Sequence, residues 1–195
     1  MNLQALFDGL LAATAFYTAL GPARSAPALR LGCLLLGSAA VLGTLRFSGV
    51  LALPQLHQYF SMLGAGVGLP MLAIALIQPG SAVASQRRYA WIFAVIAAVV
   101  CTLVVMVVQW KLWTSLCAIM AALSILGYGA VHKQLLTASV GLLMLVTLIA
   151  FAAKAQAGGL LPGDILHIGL TATLVLIGRW KFAATAAEKG AEQGA

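Results

Sequence analysis

The stretch "YAWIFAVIAAVVCTLVVMVVQWKLWTSLCAIMAALSILGYGA", residues 89–130, decides how this chain folds. As one helix it would reach about 60 Å, twice the hydrocarbon thickness of a bilayer. It must therefore double back. The polar break near its middle is "QWKLW", residues 109–113, so a tight hairpin at Trp110–Lys111 is expected even though neither Gly nor Pro marks it.

Outward from this hairpin, apolar windows long enough to span a membrane as helices recur along the chain. Seven can be drawn, roughly 3–21, 29–47, 55–78, 89–109, 112–130, 134–153 and 164–181. Turn-forming segments separate most of them: "GPARSAP" after the first, "RFSGVLALP" after the second, "QPGSAVASQRR" after the third, and "AKAQAGGLLPG" before the seventh. No strand-like alternation and no internal repeat interrupts the pattern. The expected architecture is an all-α, polytopic membrane protein: a seven-helix transmembrane domain over residues 1–182 and a short, solvated polar tail over 183–195.

Composition agrees. Hydrophobic residues make up 63% of the 195-residue chain and charged residues 8%, far too few to cover a soluble domain of this size. Mean hydropathy is +1.05. The net charge of +7 does not suggest nucleic acid, because the basic residues are scattered between apolar runs instead of forming a stripe that tracks phosphates. Cys33, Cys101 and Cys117 fall in three different apolar runs without a CxxC partner, which reads as packing filler. The first 20 residues lack a basic leader and carry Asp8, fitting a first crossing better than a cleaved signal.

Lys and Arg give an orientation. Arg24, Arg30, Arg87, Arg88, Lys133, Arg179, Lys181 and Lys189 fall on one side, against Arg46, Lys111 and Lys154 on the other. Eight against three places the C-terminus in the cytoplasm and the N-terminus outside. The expected location is a cell membrane, the inner one if the source is bacterial.

This topology groups the rare ionisable residues. Asp8, Arg46, His57, Asp164 and His167 all fall in the outer leaflet, whereas His132 lies beside Lys133 at the cytoplasmic side. Small residues share the helical faces of several of them. Ala12, Ala15 and Ala19 follow Asp8; Gly43 and Ala39 precede Arg46; Ser61, Gly64 and Gly68 follow His57. Such faces suit helix–helix contact, and ionisable groups on them default to a functional reading. Each also has a plainer role. Asp164, after Pro162–Gly163, can cap a helix; Arg46 can snorkel to headgroups; His132 and Lys133 can form a solvated turn; Pro70 can kink the third span.

Two imidazoles and two carboxylates in one layer match the ligand types of a zinc ion that activates water for hydrolysis. In that reading His57, His167 and Asp8 are the metal ligands, Ser61 and Asp164 the catalytic groups, and Arg46 the site for a lipid phosphate or carboxylate. The seven spans, the early acidic residue, the histidine face of the third span and "DILH" (164–167) resemble the CREST superfamily, which includes alkaline ceramidases and progestin and adipoQ receptors. The resemblance implies a seven-helix membrane hydrolase or receptor with a zinc site of histidines and an aspartate, here Asp8, His57 and His167, acting on lipid amides or esters. This chain has one histidine where those families carry HxxxH in the last helix, and Ser61 follows His57 where their serine precedes the histidine. Three other readings compete: a b-type haem protein with His57 and His167 as axial ligands, a non-catalytic subunit or lipid-binding bundle, and a transporter.

Overall fold

The computed structural model describes residues 2–21, 23–110 and 112–193, with side chains as far as Arg179. Among these residues seven long helices follow one another: α1 (Leu3–Leu20), α2 (Pro27–Phe47), α3 (Pro54–Ile77), α4 (Arg87–Val107), α5 (Trp113–Val131), α6 (Leu135–Ala152) and α7 (Pro162–Gln193). A single helical turn, Ala82–Ser85, joins α3 to α4. No strand forms among the described residues. Among the described residues, six helices, α1 to α6, are long and apolar enough to cross a membrane. The helical backbone of α7 continues to Gln193, past the expected boundary at 182. Lys111, Lys181 and Lys189, which entered the charge count, have side chains outside the described residues.

Local chemistry sets the helix ends. Asn2 caps α1 by accepting from the Gln4 N–H at 3.1 Å. Its amide also donates to the Phe47 carbonyl at 3.0 Å, fastening the start of α1 to the end of α2. Proline stands at the start of α2, α3 and α7, where a missing N–H costs nothing. At the C-termini of α5 and α6 the left-handed position is taken by Lys133 (φ 54°) and Lys154 (φ 53°). Gln134 N–H then bonds back to Gly129 O, and Ala155 N–H to Ala150 O, in Schellman fashion.

The same device resolves the uninterrupted stretch. α4 ends in one π-wound turn, Leu103–Val107, and Gln109 then adopts φ 59°. Trp110 N–H closes onto Val104 O at 3.1 Å, one residue further back than in α5 and α6 because the π turn holds an extra residue. Gln109 takes this left-handed position at a cost of roughly 1–2 kcal/mol relative to its right-handed form, so the hairpin forms without the glycine or proline that usually marks such a turn. α3 carries a second π-wound turn, Gly64–Gly68, just before Pro70. The helix passes its proline through that turn, as irregular winding near proline allows.

Packing arranges six helices in a ring, in the order α1, α2, α3, α5, α6, α7 and back to α1. α4 lies against α2 and α3 and leaves Trp91, Ile92, Val95, Ile96, Val99 and Val100 exposed, so it sits outside the ring. Small residues bring the helices close. A Cβ on Gly32 would meet the Gly68 carbonyl of α3 at 2.8 Å. Gly129 and Gly141 put the backbones of α5 and α6 in direct contact, at Ala138 and Leu126 respectively. Leu29, Leu72, Ile125, Met144, Leu174 and Ile177 fill the space between. Because successive helices run antiparallel, the starts of α1, α3, α5 and α7 share one end of the bundle with the finishes of α2, α4 and α6. Below, this is the Asp8 end.

Candidate functional site

All five residues expected to share a layer lie at the Asp8 end. They form two pairs and a neighbour. Asp8, on α1, is fully buried, with Oδ1 3.2 Å from Nδ1 of His167 on α7. The carboxylate rests on Gly43 of α2, where a Cβ would come within 2.5 Å of Oδ2. The Asp8–His167 contact is at ion-pair distance without hydrogen-bond alignment: both Asp8 oxygens and the His167 Nδ1 lack a hydrogen-bond partner among the described residues. The second pair is Arg46 and His57. The guanidinium donates to Nδ1 of His57 at 3.2 Å and lies 5.1 Å from the Phe47 ring centroid, while Phe47 meets the His57 ring edge-on.

Asp164 stands third in α7, behind Pro162. Its Oδ2 accepts from the Leu161 N–H at 2.8 Å, the backward arm of a capping box. Asp164 thus satisfies a free N–H at the helix start, but from the third helical position and not as the N-cap residue that its place after Pro162–Gly163 suggested. Its other oxygen is buried and has no partner among the described residues. Asp164 and His57 both lie within electrostatic reach of His167, and Asp164 within reach of Asp8. His167, one turn beyond the cap, is what the capping explanation leaves over.

The tautomers follow from donors and acceptors. Arginine only donates, so Nδ1 of His57 accepts and its Nε2 carries the proton when the ring is neutral. Neither nitrogen of His57 then offers a lone pair to a metal or haem iron. His167, turned to Asp8 through Nδ1, keeps Nε2 available. Among the described residues no three His, Cys, Asp or Glu side chains gather as a metal-holding group.

A cavity of about 610 Å³ opens at the same end, between α3, α4, α5, α6 and α7. Gln58, Ser61, Gln109, Thr114 and Ser115 contribute its polar groups; Met62, Ala118, Leu148 and Phe151 are among its apolar walls. Both π-wound turns border it, through Ala65 of α3 and Val105 and Met106 of α4. The stripe below His57 thus divides. Gly64 and Gly68 pack on α2, while Ser61 faces the cavity. No hydrogen bond joins Ser61 to His57 or to another base among the described residues.

Gln58, Gln109, Thr114 and Ser115 escaped the reading of the sequence. The available signal was faint: neutral polar residues within a turn of the ends of three neighbouring spans. His132 stacks on Tyr128 at 4.2 Å at the far end of the bundle, apart from the other two histidines. Comparison with known proteins finds no matching family model, no matching curated protein and no matching solved structure.

Proposed function

We propose that this chain is a seven-crossing membrane protein, with its Asp8 end outside, that binds an amphiphilic molecule from the outer leaflet in the cavity at that end. The observation that carries this reading is the cavity itself: an open cleft bordered by five helices, with mostly apolar walls and a rim of hydrogen-bonding side chains. Its volume of about 610 Å³ lies within the usual range for a single bound small molecule. Irregular helix turns on two of its walls favour a binding role, since π-wound turns recur at functional sites. The seventh crossing would be residues 162–179, whose Leu170, Leu174 and Ile177 are buried on a helix packed between α1 and α6. Asp164, His167 and Arg179 dilute its apolar character. The excess of Lys and Arg at the opposite end supports the orientation.

Lipid hydrolysis is a second reading, favoured by the Asp8–His167 pair, which would orient an imidazole with Nε2 free to accept a proton. Binding is preferred, because Ser61 makes no hydrogen bond to a base among the described residues, whereas it does line the cavity.

Native mass spectrometry of the purified chain, released from detergent with its co-purified lipid, tests the proposal. A single amphiphile per chain is expected, lost in Ala118→Phe and weakened in the milder Ala65→Met, with both variants monodisperse and helical. Undiminished occupancy in both folded variants would remove the cavity from consideration.

A further inference from the structure

We propose that Arg46, fixed in place by His57 and Phe47, holds the phosphodiester of one glycerophospholipid in the leaflet at the Asp8 end, with the lipid's acyl chains against the α2–α3 turn. This rests on the membrane-spanning reading above and is independent of the cavity, which neither Arg46 nor His57 lines.

The guanidinium of Arg46 is exposed, yet it is held. It donates to Nδ1 of His57 at 3.2 Å and lies 5.1 Å from the Phe47 ring centroid, a favourable distance for a cation over an aromatic face. Phe47 in turn packs edge-on against the His57 ring. The backbone beneath is tied down as well. Asn2 donates to the Phe47 carbonyl at 3.0 Å, and the Leu51 N–H returns to the Leu45 carbonyl at 3.1 Å. Order of this kind lowers the entropy cost of each hydrogen bond that the guanidinium makes.

What Arg46 lacks is a counter-ion. No carboxylate pairs with it among the described residues, because the two acids at this end face elsewhere: Asp8 is buried against His167 and Asp164 takes the Leu161 N–H. Arginine has five N–H groups, and His57 uses one. The Nε–Nη2 edge is left for a forked contact with two oxygens of a phosphodiester. His57 is therefore a positioning residue: its Nδ1 accepts, and so aims the cation without competing for the anion.

The surroundings favour a lipid over a soluble anion. Val50, Leu51, Leu53 and Leu56, which follow Arg46 in the turn and the first residues of α3, are all exposed. An apolar surface beside an outward-facing cation suits the boundary between headgroups and acyl chains, where arginine keeps its stem in the apolar phase and its charge at the interface.

Thermal unfolding of the full chain in detergent, titrated with dioleoylphosphatidylglycerol, reads occupancy as a saturable rise in Tm. Arg46→Gln should raise the half-saturating concentration about tenfold, as loss of charge-assisted hydrogen bonds implies. Arg46→Lys, which keeps the charge without the fork, should raise it several-fold. His57→Phe should raise it about threefold by freeing the guanidinium, whereas His57→Gln, whose amide oxygen also accepts, should stay near wild type. Two controls should leave it unchanged: Lys154→Gln, which removes an exposed charge at the same end, and Ala118→Phe, which fills the cavity and so tests the binding reading above separately. Dioleoylglycerol, with the same chains and no phosphate, and inorganic phosphate, with no chains, should give no saturable rise.

Equal stabilisation by dioleoylglycerol would overturn the role of the phosphodiester, and equal stabilisation by inorganic phosphate that of the lipid. The site itself would be overturned by the absence of a saturable rise with dioleoylphosphatidylglycerol in the wild-type chain, or by an unchanged half-saturating concentration in folded Arg46→Gln and His57→Phe. An increase in Lys154→Gln equal to that in Arg46→Gln would also overturn it, by showing general charge attraction in place of a site.

Discussion

Two seams of this bundle rely on glycine in opposite ways. Between α5 and α6, Gly129 and Gly141 let backbone meet backbone, and the surroundings are apolar: Ile125, Val140 and Met144 are buried there. Between α1, α2 and α7, the space beside Gly43 is filled by the Asp8 carboxylate, which faces an imidazole and, at longer range, a second acid. The first seam is packing of the kind that holds membrane helices together, where dispersion contacts replace the hydrophobic drive. The second uses an equally close approach to enclose a charge, which seldom adds net stability when buried. Glycine at a helix crossing is therefore ambiguous until its neighbour is known. A seam closed on backbone reads as structure; one closed on a carboxylate calls for a functional reading.

Substitutions can break or sharpen this contrast. Gly141→Leu should be the most damaging, with a loss of about 3 kcal/mol or more because the Leu126 backbone has nowhere to move. Thermal unfolding in detergent measures it, and wild-type stability in this variant would refute the backbone contact. Asp8→Ala should cost about 3 kcal/mol by leaving His167 without its partner. Asp8→Leu combined with His167→Leu should recover most of that loss. If the double variant is as unstable as the single, the pair is structural and the contrast between the seams collapses.

Gly43→Ala should cost about 2 kcal/mol in the wild-type chain, since the new methyl displaces the carboxylate. In the Asp8→Ala background the same change should be nearly neutral, a coupling that a double-mutant cycle reads directly. Tyr59→Phe should have the smallest effect, about 0.6 kcal/mol, by removing the 3.3 Å hydrogen bond to Thr102 that ties α3 to the peripheral α4.

Much of the helix layout was legible from residue order. The expected windows match α1 to α6 and the start of α7 to within a few residues, because apolar length and flanking Pro or Gly act locally, whereas α7 runs on to Gln193. The hairpin in residues 89–130 was legible from length alone, while its mechanism, a π-wound turn followed by a left-handed Gln109, had no composition signal. The layer shared by Asp8, Arg46, His57, Asp164 and His167 followed from topology. Their pairing did not: Arg46 faces His57 and Asp8 faces His167 because of how the ring closes. The cavity was not legible at all, since its polar groups come one or two at a time from separate helix ends.

By itself, then, the sequence determined that this chain is helical, suited to a membrane, and polar at one end, since each property depends on near neighbours along the chain and on the solvent it must face. Only the tertiary structure decided which polar groups meet, that Gly43 makes room for a carboxylate while Gly141 makes room for a backbone, and that Ser61 faces a cavity instead of His57. Those outcomes depend on helix rotation and ring order, which are set by contacts between residues tens to more than a hundred positions apart.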